Sequence, residues 1–285
     1  MSALAAQLRN EITARAAQYA QQKGIAFRRS HFDFGSIVFA PQLDASLHGN
    51  FHPASYRAIL KRSMWRKRLG KVLTVAERLK HWEDHRRLCE LDSCCSSDAL
   101  LMNVFCHPGA RSRAEVRQML GVDDRALPIF GWRARVPLLD QKFDRTEVDM
   151  KFGNLLIECK LTESSLESCA ISRMHMYADF CEVFRRSELP RSSRQYQCYQ
   201  LLRNVLAAKA HDAAFCLLTD ARRIDLIESW YQVLAAIRPV DLRERCKLLT
   251  FQELAPALPR SLRQFLHQKY GIGASVAATS TAVGY

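Results

Sequence analysis

The chain of 285 residues carries 42 Lys and Arg against 29 Asp and Glu, a formal net charge of +13. That length can bury a substantial core in one or two domains, and no apolar run reaches the roughly 18 to 20 residues of a bilayer span. The cationic surplus favours a polyanionic partner, nucleic acid ahead of an anionic membrane.

In chain order, residues 1–22 predict an amphipathic helix without the long apolar stretch of a secretory signal. An aromatic, Gly-containing segment follows over 24–39. From 55 to 90 the period is helical and the run densely basic, with Trp65 and Trp82 interleaved among the cations. Arg62, Arg66, Lys67, Arg68 and Lys71 are its candidate phosphate contacts, supplying affinity rather than base choice. A solvated helix face with inward-packed aromatics is the competing interpretation. His81, His85 and Cys89 have helical i, i+4, i+8 spacing and form the one candidate zinc cluster. The ten cysteines include no CxxC pair, whereas Fe–S and zinc-ribbon frameworks need closely paired thiolates. Cysteine used as a small hydrophobe in a reducing cytoplasm is the expectation.

An apolar helix is predicted from Ser96 to before Pro108, then a loop-rich stretch through Arg113, Gly121 and Pro128. Two strands follow at 146–152 and 155–162, and a long helical region at 168–211. A buried strand at 213–220, a helix at 226–237 and a strand at 247–251 complete the pattern. The tail after Gly271 is small and low in complexity, with a composition expected to be disordered. This order describes an α/β core in which helices flank a mixed central sheet.

The chemistry concentrates in Arg145 to Glu163. Val148, Met150 and Phe152 alternate with Glu147, Asp149 and Lys151, the two-residue period of a strand. Gly153-Asn154 suits a two-residue hairpin turn because both tolerate positive φ. Phe152 then pairs with Leu155 and the register is fixed. Counting outward sets Asp149 opposite Glu158 and Glu147 opposite Lys160, with opposed Cβ atoms about 4.5 to 5.5 Å apart. Val148, Met150, Ile157 and Cys159 form the apolar, core-facing side. Opposed carboxylates repel unless a cation lies between them. Mg²⁺ suits such a pair, keeping several waters and a substrate phosphate. The ion lowers the pKa of a bound water, and Lys160 can orient that water or stabilise charge in the transition state. A solvent-exposed hairpin is the bland alternative, but it has no need of two acids face to face.

EVD, a short turn and IECK resemble the signature of the PD-(D/E)XK nuclease superfamily, the restriction-endonuclease-like fold. The resemblance implies that Asp149, Glu158 and the Cys159 backbone carbonyl bind Mg²⁺, or Mn²⁺ in its place, while Lys160 assists the water. Glu147-Val148 stands where the motif carries its proline, and Glu147 is an accessory candidate. Gln195-x3-Tyr199 resembles the Q-x3-Y element of the exonuclease-like branch, its side chains sharing a helix face at i, i+4. Gln200 and Arg203 share another face and compete for that role. Asp98 and Glu90 are candidates for the further acid such folds take from the first helix. The family order matches residues from about 90 to 220.

The reading is therefore an α/β, restriction-endonuclease-like core over 89–255, preceded by a basic, mainly helical region over 1–88. A C-terminal helix at 256–270 and the tail at 271–285 follow. The expected function is metal-dependent hydrolysis of phosphodiester bonds in nucleic acid, DNA first, in the cytoplasm and without a membrane. A homodimer is one way for two such sites to cut both strands. The alternative is a nucleic-acid-binding protein that keeps the fold without hydrolysis; an adaptor with a basic helix is a third.

Overall fold

The computed structural model describes residues 2–30, 35–39, 44–72, 89–123 and 125–273. At its centre is a five-stranded sheet: β1 (Pro128–Arg133), β2 (Glu147–Phe152), β3 (Leu155–Lys160), β4 (Ala214–Thr219) and β5 (Cys246–Thr250). The spatial order is β5-β4-β3-β2-β1. Strands β1, β2 and β3 form an antiparallel meander, while β3, β4 and β5 run parallel. Every residue of β3 is buried. Its apolar run Leu155-Leu156-Ile157 is what a strand covered on both faces requires.

One layer contains α1 (Ala3–Lys23), α4 (Ser97–Phe105) and α7 (Arg260–Tyr270). It covers Met150, Phe152, Leu155, Ile157 and Cys159. The opposite layer contains α5 (Tyr199–Ala210) and α6 (Ile224–Ala235), and covers Leu156, Phe215 and Leu217. Helix α1 buries Leu8, Ile12, Ala16 and Ala20, a four-residue repeat on one helix face. It ends at Gly24, whose φ of 62° suits a left-handed cap. A third cluster, with Tyr56, Ile59, Trp65 and Met102, seats α2 (Pro53–Lys61) and α3 (Ser63–Arg68) on α4. Among the described residues no helix is long and apolar enough to cross a membrane. All ten cysteines are free thiols, and eight are buried.

The mixed sheet flanked by helices is as expected, and β2 to β5 and α6 lie within two residues of their predicted positions. Three expectations are corrected. β1 occupies part of the stretch expected to be loop, because Pro128 and Gly131 interrupt its apolar pattern. The basic run forms two helices broken at Arg62, which is extended at φ −115° and ψ 115°. Residues 73–88, with His81, His85 and Trp82, lie outside the described residues. The 168–211 region is not one helix: Ser168–Ala170 pairs with Gln195–Gln197 as a ribbon, and α5 begins only at Tyr199. Pro190 lies between those two strands, and a helix interior accommodates neither its missing N–H nor its ring.

Candidate active site

The β2–β3 hairpin turns at Gly153, with φ +59°, and pairs Phe152 with Leu155, Lys151 with Leu156 and Met150 with Ile157. That is the expected register, but the pairing ends there. In a continued antiparallel ladder the Cys159 N–H would meet the Val148 carbonyl. Instead it donates to Asp149 Oδ2 at 2.8 Å. The Asp149 side chain thus occupies the place where the strands part, rather than completing a cross-strand pair with Glu158. Val148 packs with the α5 layer while Met150, Ile157 and Cys159 pack with the α1 layer, so the four do not form one face. Glu147 does not meet Lys160 either. It accepts from Arg68 at 2.9 Å and lies 3.9 Å from Arg133, its neighbour on β1.

Glu158 is buried, and both of its oxygens are held. Lys160 Nζ lies 2.8 Å from Oε1, and Asn204 Nδ2 donates to Oε2 at 2.6 Å. Burial and the charge of Glu158 push the Asp149 carboxyl well above the usual carboxylate range. Burial disfavours the Lys160 ammonium, but Glu158, Asp149 and Glu163 outweigh it and raise its pKa. The two carboxyls of one hairpin therefore sit in different surroundings, one between donors and one crowded by negative charge.

Asp98, near the start of α4, forms the facing wall. Arg68 reaches it at 2.6 Å and Lys71 at 2.9 Å, and Lys71 also pairs with Glu90 at 3.0 Å. Burial would raise the Asp98 carboxyl, yet Lys71 and Arg68 hold it below the usual value. Asp149, Lys160, Asp98, Lys71, Arg9 and Gln200 line one cavity of about 330 Å³. A larger groove of about 940 Å³ between α1 and α7, with Arg15, Arg260, Arg263 and His267 on its walls, contains none of the candidate catalytic residues.

The five candidate phosphate contacts separate. Arg68 and Lys71 turn inward to the acids, while Arg66 and Lys67 are exposed. Arg62 lies over the Trp65 ring at 5.0 Å, and Arg111 lies 5.4 Å from the same ring. Trp65 is buried and donates to the Pro128 carbonyl. Gln195 is exposed on the ribbon, and its Oε1 accepts from Ser168. The Tyr199 hydroxyl meets that of Tyr177 at 2.9 Å, away from the cavity walls. Gln195 and Tyr199 therefore do not share a helix face, since Cys198 between them has φ +58°. Gln200 lines the cavity instead, and its Oε1 is buried without a partner. Two site residues escape sequence reasoning. Asn204 follows Gln200 by one helical turn, a spacing that was there to be read. Arg9 donates to the Thr162 carbonyl at 2.9 Å across 153 residues, and no local pattern announces it.

The donor set is of the kind a hard divalent cation takes: two carboxylates and a nearby main-chain carbonyl. The like-charge crowding at Asp149, from Glu158 and Asp98, is what a bound cation relieves. Among the described residues no three His, Cys, Asp or Glu side chains are grouped to hold a metal. The protein's own share would therefore be Asp149, Glu158 and the Cys159 carbonyl, with water and phosphate oxygens completing the shell.

A five-stranded mixed sheet with this order, opening at its central hairpin onto buried acids and a lysine, defines a restriction-endonuclease-like α/β protein. The chain belongs to the family described as restriction endonuclease associating with ARP, whose model matches residues 10–271. The match runs from within α1 to the end of α7, so it takes in both helical layers and the whole sheet. No curated protein and no solved structure matches the chain. Membership in a restriction-endonuclease family makes nucleic acid the implied substrate and hydrolysis the implied reaction.

Proposed function

We propose that the protein is a divalent-metal-dependent nuclease of the PD-(D/E)XK type that hydrolyses phosphodiester bonds of DNA, with Asp149, Glu158 and Lys160 at its centre. The observation that carries this reading is the parted hairpin, whose Asp149 and Lys160 line one cavity while Lys160 pairs with the buried Glu158 behind it. Asp149, Glu158 and the Cys159 carbonyl would hold Mg²⁺, with Mn²⁺ able to replace it. Bound there, the ion supplies an ionisable water and neutralises charge developing at phosphorus. Lys160, kept charged by its acidic neighbours, donates to that water or to a non-bridging phosphate oxygen. Arg9 and Lys71 place further positive charge on the cavity wall. Arg66 and Lys67 on α3, with Arg62 just before it and Arg111 nearby, carry the flanking backbone. These contacts set affinity and orientation rather than sequence.

The test is incubation of plasmid, single-stranded DNA and RNA with the protein in Mg²⁺, Mn²⁺ or EDTA. Nicking or linearisation of DNA that EDTA abolishes is the expected result. Cleavage of RNA alone would overturn the choice of DNA. One observation favours a second reading, a binding protein without hydrolysis: both Glu158 oxygens and the Asp98 carboxylate are already engaged by the chain's own donors. Salt-sensitive DNA binding with no cleavage in either metal would select it.

A further inference from the structure

Two polar side chains of α5, Arg203 and Asn204, are buried at the place where β2 and β3 part. Arg203 is 4% exposed and Asn204 0%. Burying such groups costs free energy unless their hydrogen bonds are made, and here the bonds have a fixed direction. Arginine only donates, whereas an amide has one donating and one accepting end. Arg203 Nε and Nη2 lie 3.2 and 3.0 Å from Asn204 Oδ1. That occupies the accepting end and turns Nδ2 toward Glu158 Oε2 at 2.6 Å. Lys160 takes the other oxygen, Oε1. The same Arg203 Nη2 donates to the Glu147 main-chain carbonyl at 2.9 Å. One guanidinium therefore grips the β2 backbone, and the amide it orients grips a β3 side chain, across a gap with no ladder.

We propose that Asn204, oriented by Arg203, is the positioning residue that fixes Glu158 in the parted hairpin and so prepares it as a metal ligand. The metal clause rests on the nuclease reading above; the positioning itself does not. With both oxygens held, Glu158 has one orientation before any ion arrives, and the cost of ordering it is already met. Lys160 alone leaves the carboxylate free to turn about that single contact. The arrangement is directional, so each half fails in its own way. Asn204→Leu removes the donor, Asn204→Asp sets a like charge against Glu158, and Arg203→Gln removes the two donors that orient the amide.

Two readouts test this on the full-length chain. The first is Mn²⁺ affinity, from the free-ion signal in electron paramagnetic resonance. Losing an outer-sphere partner of a ligand typically weakens metal affinity on the order of 10- to 100-fold. That loss is expected for Asn204→Leu and for Arg203→Gln, with the double variant little worse than either. Cleavage should recover at saturating Mn²⁺, as it would not in a misfolded centre. The second readout needs no metal: the ¹⁵N–¹H resonance of the Lys160 ammonium, which shares Glu158 with Asn204. It should move in Asn204→Asp and in Arg203→Gln. Wild-type Mn²⁺ affinity in the folded variants overturns the proposal. Absence of Mn²⁺ binding by the wild type sinks the metal reading instead. The ammonium resonance then decides: moved, the positioning role stands; unmoved in either folded variant, it is overturned.

Discussion

Gly131 meets two demands, a left-handed backbone and the close approach of two side-chain ends. Its φ is +63°, and a Cβ built there would lie 2.8 Å from Glu147 Oε2 and 2.9 Å from Arg68 Cζ. The guanidinium that joins Glu147 to Asp98 thus lies directly against the β1 backbone. Gly131→Ala should destabilise the fold by about 1 to 3 kcal/mol, through the left-handed conformation and through displacement of Arg68. Urea unfolding of a double-mutant cycle with Arg68→Ala separates the two contributions. The cycle should show coupling, and strictly additive costs would mean that Gly131 does not cradle Arg68. At this scale the sequence offered Asp149, Glu158 and Lys160 as candidates, because they lie close together on one hairpin whose turn fixes the register. It did not disclose that Asp149 replaces a ladder acceptor, since strand parity assumes the ladder continues.

Helix α3 divides its cations between two tasks. Trp65 anchors its inner face and Arg68 ends it at the acids, while Arg66 and Lys67, and Arg62 just before the helix, are exposed. Arg62 and Arg111 lie against one Trp65 ring, and among the described residues no carboxylate pairs with either. Burial and the nearby Arg62 lower the Arg111 pKa, a repulsion that a phosphate between them would offset. If DNA runs along this face, Arg62→Gln and Arg111→Gln should each reduce the slope of log K against log salt by about one. Arg68→Gln should leave that slope unchanged, because its charge is spent on Asp98 and Glu147. A reduced slope in Arg68→Gln and none in the other two would reverse the assignment. Element by element, the sequence showed where continuous or alternating apolar residues form strands. It failed where short pieces take their shape from neighbours, as in the 168–170 and 195–197 ribbon, whose pairing spans Pro190.

Across the whole molecule, a buried hub joins α7 to the loop before α2 and to α4. The Asn50 carbonyl accepts from Lys269 Nζ at 2.9 Å and from Asn103 Nδ2 at 3.0 Å. The Asn50 amide donates to the Leu91 and Ser93 carbonyls. Burial pushes Lys269 down from 10.5 to about 7, against the opposing influence of Cys94 and Cys95. Between those values the unfolded chain binds the proton and the folded protein does not, so stability should climb as pH rises from 7 toward 10.5. The slope contributed is about 1.4 kcal/mol per pH unit at most. Below pH 7 both states are protonated and the contribution is flat. Lys269→Met should lose this part of the slope in urea unfolding across pH 6 to 10, and equal slopes would mean that the buried Lys269 keeps its proton in the folded protein above pH 7. Contacts of this range, like Arg9 on Thr162, cannot be read from local period, because only the assembled layers bring them together.

If the parted hairpin is a phosphodiester-cleaving centre, its function depends on Lys160. Plasmid cleavage in Mg²⁺ should be lost in Lys160→Ala while DNA binding and cooperative unfolding persist. Cleavage at the wild-type rate by folded Lys160→Ala would place the chemistry elsewhere.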